Sequence, residues 1–433
     1  LILKRGYNMS KYKILYPKVA NPSIKDIAHS IDIHRRKLYE LPTFIIIDFL
    51  SQLSRKIILS DLPNNYEGLT FFAQWLRSEN LLKLYKRDLG DEKVLDDFIL
   101  RNGQKVFAQP RGVVCHWIAS NVGTNGLFSL IQMLLCKNAN FLKIPEESSD
   151  LIINILKIIE ELEVKYKGQS ISGKVITDTI GLVNFSSSDK EIGEEFSLCA
   201  DLRIVWGSRL AVQGIENLRS KDHAETLVFG PKYSLGMYDK ETIKSDEFLT
   251  TLSKSVLDII TFDQLACSSP HVYFFEKTSV GKNCNWIMQQ FKRAFEDIET
   301  KKSFLPHQPG ISSRVINARS KHFLDQNSEV LASKSLSWTL LANDTPCLED
   351  PVYGRTIYIK EIDDLNKVCP HINRNIQCVS LALQDKKRQE YLAKELSYRG
   401  VDRCVQPGEM HLFDFPWDGI FPLGRGVRWI SLK

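Results

Sequence analysis

The amino-acid sequence predicts an α/β protein in which a doubly wound parallel sheet is followed by a second α/β domain. The first supporting observation is a strand, turn, helix and strand pattern between Gly112 and Asp150, which is typical of a βαβ unit. The second is that the same alternation continues as far as Trp206. The third is that it loosens from about Asp246, where longer helical segments separate strand-like pieces. Ligands of such sheets bind beyond the carboxyl ends of the strands, so a nucleotide site is expected there.

Each element is predicted from the spacing of its apolar residues, which are continuous in buried strands and recur every three or four positions in helices. The first domain is predicted to have strands at Val113–Ile118, Phe141–Ile144, Ile180–Phe185 and Leu202–Trp206, and helices at Leu127–Leu135, Asp150–Tyr166 and Lys190–Cys199. The second is predicted to have helices at Phe248–Ile260 and Trp286–Glu299, and strands at His271–Phe275 and Thr356–Lys360. The segment Trp417–Leu432 is turn-rich and then strand-like.

These patterns predict four regions in a chain of 433 residues, which is too long for a single core. They are an N-terminal region over residues 1–100 that packs on the nucleotide domain, a nucleotide-binding domain over 101–240, a catalytic domain over 241–410, and a C-terminal return segment over 411–433.

The composition argues against several classes of protein. The 57 Lys and Arg against 52 Asp and Glu leave a charge of +5 without a dense basic run, so a nucleic-acid partner is not expected. The nine cysteines occur singly, which favours a reducing cytoplasm over a disulfide framework, and no zinc-type spacing indicates a metal site. No apolar run approaches the roughly 18 to 20 residues of a membrane span.

Cys267 is the candidate nucleophile, because it lies among small residues between a helical and a strand-like segment. A cysteine thiolate suits acyl transfer, since the thioester that it forms stays reactive toward a second attack. A single cysteine is more often a small buried apolar residue, so its surroundings in the sequence must decide.

Several motifs occur in a set order around this cysteine. They are Pro110-Arg111-Gly112-Val113-Val114, Asn121, Lys137-Asn138, Lys143 and Gln264 with Cys267. This order resembles the aldehyde dehydrogenase superfamily. Within it the sequence is most similar to the LuxC family of long-chain acyl reductases, through Phe229–Leu235, Asp263–Cys267, Gly354–Thr356, Arg403–Met410 and Trp417–Gly419. The resemblance extends from about Gln104 to the C-terminus and implies an aldehyde dehydrogenase-like fold.

The resemblance also implies roles for individual residues. Cys267 would be the acyl-carrying nucleophile, and the Asn121 side chain would stabilise the oxyanion together with the Cys267 backbone N–H. Asn121 is alternatively an ordinary turn asparagine. Three further candidates are weaker: Arg355, Arg403 and His116, the last of which is more often a buried core histidine in such a strand.

The cofactor implied by the resemblance is NADPH. Lys143 would contact the adenosine ribose or its phosphate, and Gly207-Ser208 would meet the pyrophosphate at a helix start. Glu349 would contact the nicotinamide ribose. Glu146 leaves NADH open as the cofactor, because an acid there accepts from a ribose 2′-hydroxyl and repels a 2′-phosphate. For these cofactor-binding residues the alternatives are solvated side chains and ordinary turns.

By the same resemblance, Val228 stands where hydrolytic aldehyde dehydrogenases have a water-activating glutamate; the alternative is that the segment Val228–Lys232 is locally misaligned. Without that base the acyl-enzyme would persist until hydride arrives, so the sequence predicts reduction of an acyl thioester to an aldehyde. The alternatives are an oxidative aldehyde dehydrogenase and a non-catalytic subunit of an acyl-processing complex. The resemblance further implies acyl-CoA or another acyl donor as substrate, an acyl-protein synthetase or acyltransferase as partner, and a homo-oligomer.

Overall fold

A computed structural model describes residues 12–279, 281–414 and 416–433. The chain divides into two units, one extending to Gly230 and including Ile420–Lys433, the other comprising Pro231–Gly419. We call them the first and second unit. The predicted limits at residues 100, 240 and 410 concern functional domains and stay predictions.

The first unit begins with helices and continues as alternating strands and helices. Its elements up to Gly230 are β1 Tyr12–Tyr16, α1 Ile24–Glu40, α2 Thr43–Ile58, α3 Leu62–Asn65, α4 Leu69–Trp75, α5 Ser78–Leu89, β2 Ile99–Arg101, β3 Gln104–Pro110, β4 Val113–Trp117, α6 Asn125–Leu135, β5 Ala139–Lys143, a 3₁₀ helix Glu146–Ser148, α7 Ser149–Glu160, β6 Glu163–Tyr166, β7 Gln169–Ser172, α8 Lys174–Thr177, β8 Ile180–Phe185, α9 Lys190–Cys199, β9 Leu202–Trp206, α10 Arg209–Glu216 and β10 Glu225–Phe229.

The main sheet of the first unit has the strand order β1-β8-β5-β4-β9-β10 in the described chain. All its pairings are parallel except that of β1 with β8. The chain builds outward from β4 through β5 to β8 and then returns to the other side of β4 with β9. This reversal between β4 and β9 is the topological switch point at which doubly wound sheets bind ligands.

The helix predicted over Asp150–Tyr166 is shorter in the structure, and this prediction was wrong at its end. The helix α7 ends at Glu160, and residues 163–166 form β6, which pairs with β7. The connecting Lys167 and Gly168 both have positive φ, of 49° and 77°. Two such residues form the tight turn that suits a hairpin, and this turn outweighs the helical spacing of the apolar residues.

The second unit contains β11 Tyr233–Tyr238, α11 Lys240–Lys244, α12 Phe248–Ile260, a 3₁₀ helix Thr261–Gln264, β12 Pro270–Glu276, α13 Cys284–Lys301, α14 Pro309–Leu324, β13 Glu329–Ala332, β14 Thr339–Asn343, β15 Thr356–Ile362, a 3₁₀ helix Leu365–His371, β16 Ile376–Ala382, α15 Lys386–Tyr398 and β17 Arg403–Val405. Its strands form a sheet in the order β13-β14-β15-β12-β11-β16-β17. Every pairing is parallel except that of β13 with β14. Apolar clusters cover both faces of this sheet, as the continuous apolar strands require.

The last residues return to the first unit as α16 Pro422–Arg425 and β18 Val427–Leu432. Strand β18 pairs antiparallel with β3 along its whole length. The Asn138 side chain connects this return to the start of β4, because it accepts from the Gly112 N–H at 3.0 Å and donates to the Gly426 carbonyl at 2.9 Å. The Asn138 motif residue therefore has an architectural role.

Across residues 12–279, 281–414 and 416–433, no helix combines the length and apolar character needed to cross a membrane.

Candidate active site

The predicted cofactor residues of the first unit lie where its strands end. We call Lys143, Glu146, Gly207 and Ser208 the nucleotide edge, because Lys143 ends β5 and Gly207 follows β9 directly. Strands β5 and β9 lie on opposite sides of β4. The four residues therefore lie at or just after the carboxyl ends of the two strands on either side of β4.

Lys143 is half-buried, and burial lowers its pKa. Its Nζ donates to the Ser187 hydroxyl at 2.8 Å and lies 5.6 Å from the centre of the Phe185 ring. A partly desolvated cation that donates to a neutral hydroxyl retains charge that an anionic or hydroxyl-bearing ligand can use.

Glu146 begins the 3₁₀ helix after β5 and is exposed. Its carboxylate accepts from Lys13 Nζ at 3.1 Å. Lys13 lies on β1, which no motif of the nucleotide domain includes. The sequence therefore indicated the acid but not the cation beside it.

Gly207 and Ser208 form the turn between β9 and α10, as their spacing predicts. The Ser208 hydroxyl caps the helix by accepting from the Ala211 N–H at 3.4 Å. The first N–H groups of a helix attract anions, so this turn has the donors that a pyrophosphate needs.

The structure also places the three other residues of the first unit that the sequence analysis singled out, Asn121, Val228 and His116. Asn121 is exposed in the bend between β4 and α6. Val228 lies on β10 opposite Val205 and is partly buried. His116 lies fully buried on β4, hydrogen-bonded to Ser129 at 2.8 Å and Asn140 at 3.1 Å. Burial lowers the pKa of His116 to about 4, so it is the neutral core histidine that its position in an apolar strand predicts.

In the second unit Cys267 lies on a strained loop between α12 and β12. We call residues 262–269 the cysteine loop. Phe262, Asp263 and Gln264 have φ values of 56°, 52° and 62°, in the left-handed region. Each such non-glycine residue costs about 1 kcal/mol or more, so three in succession require strong compensating contacts.

The Gln264 side chain supplies the principal compensation. Its Nε2 donates to the Pro270 and Thr356 carbonyls, both at 2.9 Å, and its Oε1 accepts from the Thr356 N–H at 3.0 Å. Pro270 begins β12 and Thr356 begins β15, and these strands are neighbours in the sheet. The fully buried amide thus fixes the cysteine loop to two strand ends.

A second attachment joins the cysteine loop to the segment before β15. Asp263 forms an ion pair with Arg355, which is almost fully buried and also donates to the Leu305 carbonyl at 3.0 Å. Tyr353, Gly354 and Arg355 are themselves left-handed, at 69°, 62° and 54°. The Arg355 motif residue therefore holds two strained segments against each other.

Cys267 is partly exposed as a residue, and charges of both signs act on its thiol. Burial raises its pKa, and Asp418 raises it further, while Arg403, Lys232 and the Ser268 N–H lower it. The Cys267 carbonyl accepts from the Ser234 hydroxyl at 2.9 Å, which fixes the backbone at the cysteine itself. The basic groups favour the thiolate that acyl transfer needs, and Asp418 opposes it.

Asp418 is a group that sequence reasoning missed. Burial raises its pKa to about 6, against the opposing charge of Lys232. Among the residues that the structure describes, its buried Oδ1 makes no hydrogen bond of standard geometry, and neither does either polar side-chain atom of Gln377, although the Gln377 side chain is close enough to lower the pKa of Asp418. Lys232 forms an ion pair with Asp402. The Trp417-Asp418-Gly419 motif indicated this segment, but its spacing gave no sign that Asp418 is close to the thiol.

Ser268, the residue after Cys267, belongs to a chain of hydrogen bonds that includes His411 and Asp258. His411 Nε2 donates to the Asp258 carbonyl at 2.7 Å, so its Nδ1 accepts from the Ser268 hydroxyl at 2.9 Å. Burial lowers the pKa of His411 to about 4 and raises that of the Asp258 carboxyl to about 7. The Asp258 carboxylate accepts from the Gly408 N–H at 2.6 Å, connecting the segment after β17 to α12.

Glu349 lies between β14 and β15, and its carboxylate is engaged within the second unit. It accepts from Lys360 Nζ at 3.1 Å and from Asn343 Nδ2 at 3.3 Å. Lys360 is fully buried on β15. A ribose contact would use the oxygen that these donors leave available.

Comparisons with known proteins agree on one family. The family described as Acyl-CoA reductase (LuxC) matches residues 48–429. A long-chain acyl-protein thioester reductase of Aliivibrio fischeri is 25% identical over 396 residues, which is 88% of this chain and 77% of that protein. Long-chain acyl-protein thioester reductase 2 of Photobacterium leiognathi is 24% identical over 81% of this chain and 70% of its own.

Solved structures share the fold. An NADP-dependent enzyme of E. coli has a TM-score of 0.71 at 10% identity, over 94% of this chain and 89% of its own. An NADP-dependent glyceraldehyde-3-phosphate dehydrogenase of Bacillus halodurans, complexed with NADP, has a TM-score of 0.68 at 15% identity, over 94% and 90%. The predicted aldehyde dehydrogenase-like α/β fold is confirmed. From the match over most of its length, the chain belongs to the acyl-CoA reductase (LuxC) family.

Proposed function

We propose that this enzyme reduces a long-chain acyl thioester, either acyl-CoA or an acyl-protein, to the aldehyde through an acyl group on Cys267. The observation that carries the proposal is the placement of Cys267 on a loop fixed by the Gln264 side chain, where the charges of Arg403 and Lys232 lower the pKa of the thiol against the larger effect of burial. Relatives named long-chain acyl-protein thioester reductase support the substrate class.

The reaction begins when the Cys267 thiolate attacks the acyl carbonyl carbon and the donor thiol leaves, so one thioester replaces another. Oxyanion stabilisation falls to the Cys267 N–H and the Asn121 side chain, a role for Asn121 that stays a prediction. A dihydronicotinamide cofactor, when bound, supplies the hydride that reduces the acyl carbon. Cleavage of the bond between that carbon and the Cys267 sulfur then releases the aldehyde, with the electron pair of that bond restoring the Cys267 thiolate. Arg403 and Lys232 stabilise the sulfur anion at both ends of this cycle.

The cofactor that we propose is NADPH. The residues that would hold it are Lys143 at the adenosine ribose, Gly207 and Ser208 at the pyrophosphate, and Glu349 at the nicotinamide ribose. The partly desolvated Lys143 and the capped start of α10 fit an anionic dinucleotide. NADH remains the competing cofactor because Glu146 follows β5.

Val228 supports reduction over hydrolysis. A valine cannot activate water, so an acyl group on Cys267 would survive until it is reduced. We expect Val228→Glu to divert the acyl-enzyme to free acid, while Val228→Leu should not. Equal acid release from both variants would contradict the role assigned to this position.

The decisive assay supplies purified protein with acyl-CoAs of graded chain length and with NADPH or NADH. Oxidation of the cofactor should match aldehyde formation mole for mole. An acyl-protein synthetase or acyltransferase should be included as an alternative acyl source, since such a partner is part of the prediction. A folded protein that reduces no acyl donor with either cofactor would favour a non-catalytic subunit.

A further inference from the structure

Strand β1 brings a lysine to the nucleotide edge from outside the βαβ units. Because β1 is antiparallel to β8, its first residues lie beside the carboxyl end of β8, with Tyr12 opposite Phe185 and Lys13 opposite Asn184. Strand β8 is the parallel neighbour of β5, which ends at Lys143. The start of β1 therefore lies at the same edge of the sheet as the predicted cofactor residues.

Two lysines, Lys143 and Lys13, lie at this edge and differ in burial and in hydrogen-bond partner. Lys143 is half-buried and donates to the Ser187 hydroxyl at 2.8 Å. Lys13 is exposed over 66% of its side chain and lies 3.1 Å from the Glu146 carboxylate, itself 68% exposed. An ion pair this exposed is held weakly, because water screens both charges. A ligand group with more negative charge than a carboxylate, such as a phosphate, can therefore displace Glu146 and bind Lys13.

An acid shortly after the second strand of a doubly wound sheet accepts from a ribose 2′-hydroxyl and repels a 2′-phosphate. Here Glu146 occupies that place after β5, but Lys13 offsets its charge. We propose that Lys13 determines cofactor choice, by releasing Glu146 and binding the 2′-phosphate together with Lys143. This inference rests on the proposed function, since it concerns the cofactor of that reaction.

The test is calorimetric binding of 2′,5′-ADP and 5′-AMP, which differ only in the 2′-phosphate, and of NADPH and NADH. We expect Lys13→Gln to weaken 2′,5′-ADP and NADPH about 3- to 10-fold and to leave 5′-AMP and NADH within about twofold. Glu146→Gln should strengthen NADPH binding and weaken NADH binding. The matched control is Lys18→Gln, at an exposed lysine just beyond β1, which should change none of the four affinities.

Two negative outcomes are distinguishable. If the wild-type protein binds cofactor and reduces acyl donors, but Lys13→Gln shifts all four ligands equally or not at all, the role of Lys13 is overturned and the proposed function stands. If the folded wild-type protein binds neither NADPH nor NADH, the proposed function fails, and the role of Lys13 fails with it.

Discussion

The nucleotide edge and the cysteine loop are built in opposite ways. The first consists of side chains at the ends of regular strands, such as Glu146 and Ser208, with exposed or local contacts. The second is a left-handed segment held by buried contacts that are distant in sequence, such as that between Gln264 and Thr356. The edge should therefore tolerate substitution with small, ligand-specific effects, whereas substitutions in the loop should affect both folding and chemistry.

The largest effect should come from Cys267→Ala. Without the sulfur no acyl-enzyme can form, so acyl labelling and aldehyde production should both fall to background while NADPH affinity stays unchanged. Labelling with radioactive acyl-CoA, the aldehyde assay and calorimetry measure the three quantities. Cys284→Ala, at the partly exposed start of α13, is the control and should keep full labelling. Persistent turnover in Cys267→Ala would remove the basis of the mechanism.

Next in size should be Gln264→Leu. Leucine fits the volume but leaves the Thr356 N–H and two carbonyls buried without partners, next to strained backbone. We expect the free energy of unfolding of the second unit to fall by roughly 2 to 4 kcal/mol, with loss of activity at temperatures where the unit is still folded. Urea unfolding followed by circular dichroism measures the first quantity.

Gln213→Leu, on the exposed surface of α10, is the matched control for Gln264→Leu. It should shift the unfolding midpoint little. If the two substitutions lower the free energy of unfolding equally, the hydrogen bonds of the Gln264 side chain do not stabilise the cysteine loop.

A smaller effect is expected from Asp418→Asn. Removing this negative charge should lower the pKa of Cys267, because Arg403 and Lys232 then act on the thiol with less opposition. At pH 8, iodoacetamide should label Cys267 about 3- to 10-fold faster than in the wild type. The advantage should shrink as pH falls through about 6, where burial already makes Asp418 protonated in the wild type.

Cys284 provides the internal control for Asp418→Asn. Burial raises the pKa of Cys284 to about 12, and its charged neighbours are Glu361, Glu329 and Asp344. Its labelling rate should therefore be the same in both proteins. An unchanged rate at Cys267 would show that Asp418 does not control the thiol.

The smallest effect should be that of Ser208→Ala at the nucleotide edge. Losing the cap of α10 should cost about 1 kcal/mol of stability in the first unit, while Ser208→Asp should keep the cap. Thermal unfolding measures the difference. A loss as large as that of Gln264→Leu would remove the contrast between the two regions.

The same contrast explains what the sequence could and could not predict. The strands Ile180–Phe185 and Leu202–Trp206 and the helices Lys190–Cys199 and Phe248–Ile260 have the predicted bounds, because apolar spacing determines such elements locally. The partner of Gln264 lies 92 positions away, and no local pattern reveals it. The motif Lys137-Asn138 pointed to the family, yet only the structure shows that Asn138 joins β4 to the C-terminal return.

Charged partners were equally hard to predict. Lys13 reaches Glu146 because β1 pairs with β8. The alternation of strands and helices that predicts the βαβ units does not predict that an N-terminal strand pairs antiparallel with one of them. Likewise, Asp418 lies in a turn with a positive φ of 48°, 151 positions from the cysteine whose pKa it raises, and no local pattern connects the two residues. Local patterns indicate candidate residues, whereas long-range pairing determines which charges neighbour them.

The pairing of β18 with β3 has a consequence for biosynthesis. More than three hundred residues separate the two strands, and the whole second unit is translated between them. The ribosome therefore delivers a complete second unit before the residues that finish the first. Until Val427–Leu432 are translated, β3 pairs only with β2 and keeps one edge open, so the nascent chain can aggregate through that edge during this interval.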